Sequence, residues 1–162
     1  MRYQTLVLEG LEGAGKTTVC ESLVAALGAR GIASELVPEF SDSLLGEYLT
    51  ERLGRNKFLL DPTVPSSAFT QIYSVAADTA YAFEYAVRNA HRSGAVAIKD
   101  RGRESVAACQ ALAFVAELGM AETEAFTLAE MIALIRLMQP ENAELPRLIT
   151  LAGIVTRVRL VH

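Results

Sequence analysis

The residues best suited to chemistry form one run near the N-terminus, Gly10-Leu11-Glu12-Gly13-Ala14-Gly15-Lys16-Thr17. This run matches the pattern GxxxxGK[ST] at every specified position. Its glycines allow the backbone to turn several N–H groups inward, where they can surround phosphate oxygens. Lys16 would then reach the β- and γ-phosphates of a nucleotide, and the Thr17 hydroxyl would reach Mg²⁺. The pattern therefore predicts a phosphate-binding loop.

The segments on either side of the loop have the character that this motif requires. Thr5-Leu6-Val7-Leu8 is a β-prone run, and a helical period begins at Thr17. The start of a helix adds unpaired amide donors and the positive end of its dipole. We therefore predict that the nucleotide contacts the consecutive residues Gly10, Leu11, Glu12, Gly13, Ala14, Gly15, Lys16, Thr17 and Thr18.

Strand and helix patterns alternate along the rest of the chain. The predicted strands after the first are 32–37, 95–98 and 147–151, and the predicted helices are 17–30, 44–53, 68–91, 104–118 and 122–138. Such alternation implies parallel strands joined by right-handed crossovers. The expected fold is α/β, a P-loop NTPase arrangement of three α/β/α layers around a parallel sheet of about four strands. No domain boundary is evident within 1–162.

A second candidate site lies directly after the apolar run 95–98. The residues that follow this run are Lys99-Asp100-Arg101. In a parallel sheet, the loops that follow the strands gather at one edge, where such folds bind ligands. Asp100 and Arg101 are therefore expected near the phosphate loop. An ion pair at a strand end, with no role in binding, is the alternative interpretation.

The order of motifs resembles that of thymidylate kinases. The matching pieces are 9–18, Leu45-Gly46-Glu47, Ala76-Ala77-Asp78 and Ile98-Lys99-Asp100-Arg101. The similarity covers essentially the whole chain, and the loop form with an acidic residue at Glu12 is its most specific part. This family transfers the γ-phosphate of ATP to deoxythymidine monophosphate, which implies ATP and Mg²⁺ as cofactors here.

The resemblance implies roles at the reacting centre. Lys16, Arg101 and Glu12 would be catalytic: Arg101 matches the arginine that holds the acceptor phosphate, and Glu12 would lie near the acceptor sugar and phosphate. Thr17 and Asp100 would hold the metal. The residues expected to bind the acceptor are Glu39, Tyr73, Asp100, Arg101, Ser105 and Gln110.

Several positions depart from the family pattern. The segment 38–43 has no arginine, although the family normally carries one there for the acceptor phosphate. Asp78-Thr79 replaces an Asp-Arg pair, and Val75 stands where an aromatic residue would stack on the base. Gly102 replaces the tyrosine or histidine that follows Asp-Arg. These changes affect the acceptor site more than the phosphate loop.

The C-terminal part also differs from the pattern. The family continues into a lid that carries a catalytic arginine when the phosphate loop itself has no basic residue, as is the case for Leu11 to Ala14. We expect a single kinase domain that is short at its C-terminus. Arg157 and Arg159 are expected on a solvated helix face, and a segment that leads toward the lid is the alternative interpretation. A fragment or frameshifted product of a longer kinase is a further possibility.

The leading hypothesis is therefore a nucleoside monophosphate kinase that converts dTMP to dTDP with release of ADP. A nucleotide-binding module with weak or no catalysis is the first alternative. The second is a deoxynucleoside kinase, which needs a carboxylate base after the second strand, a role that Glu39 could fill.

Composition limits the other classes of function. The chain has 162 residues and a net charge of −4, which does not support a general nucleic-acid binder. No apolar run reaches the roughly 18 residues that span a bilayer, so we expect a cytoplasmic protein that binds neither nucleic acid nor membrane. Cys20 and Cys109 lack metal-site spacing. The apolar stretch 68–92 is compatible with a homodimer and equally with core packing.

Overall fold

The fold is taken from a computed structural model, which describes residues 3–55, 67–134, 147–151 and 154–161. These residues divide into two compact units. The first unit consists of Met1–Glu39, Ala82–Gly102 and Gln139–His162, and the second of Phe40–Tyr81 and Arg103–Met138. Each unit is described by itself.

The first unit contains a five-stranded sheet with the order β2-β3-β1-β5-β4. Its strands are β1 (Tyr3–Glu9), β2 (Ser34–Val37), β3 (Val96–Asp100), β4 (Arg147–Leu151) and β5 (Ile154–Val161). Strand β3 pairs in parallel with both β1 and β2. Leu8 is opposite Asp100 and Val37 is opposite Lys99, so the three parallel strands end at one edge.

The C-terminal part of the sheet differs from the prediction. The strand predicted at 147–151 is present, but β4 and β5 form an antiparallel pair, and β5 runs antiparallel to β1. Only two residues separate Leu151 from Ile154, and a parallel neighbour would need a crossover of a dozen or more. Arg157 and Arg159 lie in β5, so their expected helical setting was wrong. The alternation Arg157-Val158-Arg159-Leu160 has the period of a strand.

Helices cover both faces of the sheet within the first unit. The helix α1 (Lys16–Gly28) packs through Cys20 against Leu8 and Ile98. On β3, the neighbouring residue Ala97 belongs to a separate core with residues 82–90. Because successive side chains of a strand point to opposite faces, the two cores lie on opposite sides of the sheet. The predicted three-layer α/β/α arrangement is confirmed.

The remaining helices agree closely with the predicted ranges. They are α2 (Leu44–Arg55), α3 (Ala68–Ala82), α4 (Arg88–Arg92), α5 (Arg103–Leu118) and α6 (Glu122–Leu134). A π-helical turn, Phe83–Val87, connects α3 to α4, so the helix predicted at 68–91 is interrupted by one wider turn. The end of the predicted helix 122–138 lies outside the described residues. No helix that the structure describes is both long and apolar enough to span a membrane.

The second unit is built from helices α2, α5, α6 and most of α3. Its core contains Leu49, Ile72 and Phe114, all fully buried. The rings of Phe69 and Phe114 lie 5.0 Å apart. The Glu117 carboxylate accepts a hydrogen bond of 2.6 Å from the backbone N–H of Ala68, which satisfies a donor at the start of α3.

Candidate functional site

The loop between β1 and α1 has the backbone that its glycines predict. Gly13 and Gly15 have φ angles of 76° and 79°, a conformation that side chains disfavour. A Cβ atom added at either glycine would meet no heavy atom within 4 Å. The requirement for glycine is therefore conformational, and open space lies beside the loop. Gly15 is also the N-cap of α1 and offers no side chain to the first amides of the helix.

Lys16 lies across this loop. Its side chain is buried, and its Nζ donates a hydrogen bond of 2.7 Å to the carbonyl of Leu11. The ammonium group therefore lies over the loop that the motif assigns to phosphates. A carbonyl is a weaker partner for an ammonium group than a phosphate oxygen is, because it carries no net charge.

The Thr17 hydroxyl and the Asp100 carboxylate meet beside the loop. Thr17 Oγ1 donates to Asp100 Oδ2 over 2.6 Å, a distance typical of a charge-assisted hydrogen bond. Asp100 Oδ1 is buried, and among the described residues it has no hydrogen-bond partner. A buried carboxylate oxygen is costly to leave in this state. The pair fits Mg²⁺, which binds oxygen ligands and usually takes only one or two carboxylates beside phosphates and water.

Arg101 connects the ends of the parallel strands. Its backbone N–H donates to the carbonyl of Leu8 over 2.9 Å, and its Nη1 donates to the carbonyl of Gly10 over 3.3 Å. Its Nε lies 3.1 Å from Glu39 Oε2. Arg101 has a φ of 60°, which is uncommon for any residue other than glycine. The guanidinium is thus held at the first residue of the phosphate loop.

Glu39 is the acidic partner of Arg101. Its side chain is 44% exposed. Burial of the rest of the group raises the pKa of the Glu39 carboxyl above its usual value, and the attraction of Arg101 only partly offsets this. A carboxyl with a raised pKa is closer to the range that suits a general base.

Two further residues at this edge were missed by the sequence analysis. Glu9 is buried, and its Oε1 accepts a hydrogen bond of 2.7 Å from the backbone N–H of Gly102. Lys99 is 1% exposed, and its Nζ donates to the carbonyls of Pro38, Glu39 (2.8 Å) and Asp100 (3.2 Å). The sequence did contain a signal for both residues, since each is a charged residue in the last two positions of an otherwise largely apolar strand.

The first unit thus brings together most of the predicted reaction centre. The phosphate loop, Lys16, Thr17, Asp100, Arg101 and Glu39 all surround the carboxyl ends of β1, β2 and β3. Glu12 lies exposed on the loop. None of these residues belongs to the second unit.

The other predicted acceptor residues lie in the second unit. Tyr73 is exposed on α3, with its ring stacked on Phe69 at 6.3 Å. Ser105 lies in the first turn of α5. Gln110 is 4% exposed, and its Oε1 has no hydrogen-bond partner within the described part of the chain.

The second unit also contains a buried acidic residue, Asp78. Its carboxylate accepts hydrogen bonds from Ser41 N (2.9 Å), Ser41 Oγ and Ser43 Oγ (3.3 Å). Ser43 Oγ in turn accepts a hydrogen bond from the backbone N–H of Gly46 over 3.1 Å, which caps the start of α2. Asp78 therefore fixes the chain at the start of α2.

Comparison with known proteins agrees with this geometry. A glycine-rich strand–loop–helix unit beside parallel strands defines the P-loop class of α/β proteins. The sequence model of the thymidylate kinase family matches residues 8–147, and the chain belongs to that family.

Individual relatives are more distant. The crystal structure of thymidylate kinase from Ehrlichia chaffeensis matches with 20% sequence identity and a TM-score of 0.49. The match covers 79% of this chain and 66% of that chain. A search of curated proteins found no match.

Proposed function

We propose that this chain is a thymidylate kinase-type phosphotransferase that binds ATP with Mg²⁺ and phosphorylates a deoxynucleoside monophosphate, with dTMP as the first candidate. The products would be dTDP and ADP. The observation that carries the proposal is the meeting of the phosphate loop, the Thr17–Asp100 pair and Arg101 at one edge of the sheet. A phosphate donor, a metal and an acceptor phosphate each have a suitable group there.

We also propose that both units belong to one kinase domain. The chain passes from one unit to the other at residues 39–40, 81–82, 102–103 and 138–139, so neither unit is a continuous segment. A homodimer and a cytoplasmic location stay predictions.

Different residues of the first unit would bind the ATP phosphates, Mg²⁺ and the acceptor phosphate. The loop amides would bind the β- and γ-phosphates, and Lys16 would exchange the Leu11 carbonyl for a phosphate oxygen. Thr17 and Asp100 would hold Mg²⁺, which supplies positive charge against the phosphate oxygens when it is bound. Arg101 would hold the acceptor phosphate through its guanidinium group.

The transfer itself needs alignment and positive charge from the protein. An oxygen of the acceptor phosphate attacks the γ-phosphorus, and the bond from that phosphorus to the β–γ bridging oxygen breaks as ADP leaves. Arg101 would reduce the repulsion between the acceptor phosphate and the γ-phosphate. Glu12 would lie near the acceptor, as the family resemblance implies.

The efficiency of turnover depends on the cations available. An arginine that contacts the transferring phosphoryl group contributes about 10³–10⁵ in rate in other P-loop enzymes. The loop residues 10–15 include no basic side chain. We therefore expect ATP with Mg²⁺ to bind even where turnover is slow, and only acceptor-dependent ADP release separates a kinase from a binding-only module.

A second candidate function is supported by the Glu39–Arg101 pair. In a deoxynucleoside kinase, a carboxylate takes the proton of the sugar hydroxyl as the hydroxyl oxygen attacks the γ-phosphorus of ATP. Glu39 follows β2, and the raised pKa of its carboxyl favours proton acceptance. The acceptor would then carry no phosphate.

The test is to supply dTMP and thymidine separately with ATP and Mg²⁺ and to follow ADP release with a coupled assay. Release that depends on dTMP supports the monophosphate kinase, whereas release that depends on thymidine supports the nucleoside kinase. Calorimetry of ATP binding accompanies the assay. ATP uptake without acceptor-dependent release would identify a binding module, and no uptake at saturating Mg²⁺ would reject the whole proposal.

A further inference from the structure

The buried ammonium group of Lys99 holds the main chain that leads out of β2. Lys99 is fully enclosed in the first unit, and its Nζ donates to the consecutive carbonyls of Pro38 and Glu39. A third hydrogen bond, of 3.2 Å, goes to the carbonyl of Asp100 on its own strand. A buried charge of this kind is tolerated because its donors are satisfied. The backbone of Glu39 is thereby fastened to the end of β3.

The side chain of Glu39 lies on the guanidinium group that the proposed reaction needs. Glu39 Oε2 is 3.1 Å from Arg101 Nε, and Arg101 Nη1 is bonded to the carbonyl of Gly10. A carboxylate and a phosphate both bind a guanidinium through two oxygens, so they compete for the same donors. The Glu39 side chain is partly open to solvent, which makes displacement by an incoming anion feasible.

We propose that Glu39 is a specificity-determining residue that competes with the acceptor phosphate for Arg101, and that Lys99 is the positioning residue that keeps Glu39 there. A phosphate-bearing acceptor must displace the carboxylate, whereas a phosphate-free nucleoside does not. The pair therefore lowers the affinity for monophosphates relative to nucleosides. This inference rests on the proposed role of Arg101 in binding the acceptor.

The experiment measures the dissociation constants of dTMP and thymidine by calorimetry. A non-hydrolysable analogue of ATP and Mg²⁺ are present, so that the acceptor binds without being phosphorylated. The proteins are the wild type, Glu39→Gln, Lys99→Met and the double variant. Glu39→Gln is expected to tighten dTMP binding about fivefold, as suits a partly exposed ion pair, and to change thymidine binding less than twofold. Lys99→Met is expected to tighten dTMP binding about threefold.

The double variant distinguishes positioning from general structural support. If Lys99 acts through Glu39, the double variant binds dTMP no more tightly than Glu39→Gln alone, because the two changes are not additive. Ile98→Val is the matched control, since Ile98 is the adjacent buried residue on β3 and its side chain belongs to the opposite face. It should leave both dissociation constants unchanged. If Lys99→Met does not fold, Lys99→Gln, which retains N–H donors, replaces it in the cycle.

The outcomes separate the two proposals. Unchanged dTMP binding by Glu39→Gln overturns the competition, and fully additive effects of the two substitutions overturn the positioning role of Lys99. If neither the wild type nor any of the three variants bound dTMP, the proposed function would be overturned as well. Binding of dTMP by Glu39→Gln but not by the wild type would support the inference in its strongest form.

Discussion

Buried charge is distributed differently in the two units. Among the described side chains, the buried charged residues of the first unit are Glu9, Lys16, Lys99 and Asp100, whereas that of the second unit is Asp78. The four residues of the first unit gather where the parallel strands end, and Asp100 Oδ1 there has no hydrogen-bond partner among the residues that the structure describes. Asp78 instead has its hydrogen bonds filled by two serines. We propose that Lys16 and Asp100 of the first unit serve an incoming ligand, whereas Asp78 of the second unit holds the chain in place.

The largest effect expected from this difference is on ATP binding by Lys16→Ala. Loss of one partner from a buried charge pair costs about 2–5 kcal/mol, so the dissociation constant of ATP with Mg²⁺ should rise on the order of 10²-fold. Calorimetry measures it. The control is Ser22→Ala, at an exposed position nearly two turns further along α1. This variant should bind ATP as tightly as the wild type does.

The next effect concerns the second unit and is one of stability. A Cβ at Gly46 would lie 2.7 Å from Ser41 Oγ and 2.8 Å from Asp78 Oδ1, and also too close to the Ser41 carbonyl. Gly46→Ala should therefore lower the free energy of unfolding by about 2–3 kcal/mol, as overpacking does. Gly28→Ala, where a Cβ meets nothing within 4 Å, is the control. Equal stability of the two variants in urea would contradict the described packing at Gly46.

A matched pair of carboxylate substitutions tests the comparison directly. Asp100→Asn should weaken binding of ATP with Mg²⁺ on the order of tenfold, with little change in urea stability, because Asp100 is expected to act on the metal. Asp78→Asn should lower the free energy of unfolding by about 1–3 kcal/mol, with ATP affinity unchanged. If each variant altered both quantities equally, the division of roles between the units would be wrong.

The smallest expected effect is a pH dependence from His91. Burial lowers the pKa of this imidazole, whose Nε2 lies 2.9 Å from Thr5 Oγ1. The unfolded chain then binds more protons than the folded chain. The contribution to stability is therefore fully present above the ordinary pKa of 6.5 and is lost as the pH falls below it, through the lowered pKa of the folded state. Urea unfolding between pH 5 and 8 measures the slope, and His91→Gln should flatten it.

The parts of the site that could be predicted from the sequence are those set by short segments. The glycine conformations at Gly13 and Gly15 follow from residues within the loop itself, and the strand before it is a local apolar run. The carboxyl ends of parallel strands share an edge, so the neighbourhood of Asp100 and the loop also followed from topology.

The contacts that escaped prediction join residues far apart in the chain. Lys99 reaches Pro38 across 61 residues, and Glu9 reaches Gly102 across 93 residues. No local period encodes such pairs, because they depend on the register of β1 and β2 against β3. Strand β5 was missed although its residues alternate with the period of a strand, whereas its antiparallel pairing with β1 is a tertiary contact that no local pattern encodes.

Arg101 is the one described residue other than glycine with a positive φ. Such a backbone costs on the order of 1–3 kcal/mol for a residue with a Cβ, a cost that glycine would avoid. Arg101→Gly would avoid this cost, but it would also lose the contacts of the guanidinium group with the Gly10 carbonyl and Glu39 and, under the proposed function, its contact with the acceptor phosphate. Under the proposed function, position 101 would combine a backbone cost with a guanidinium group placed beside the phosphate loop.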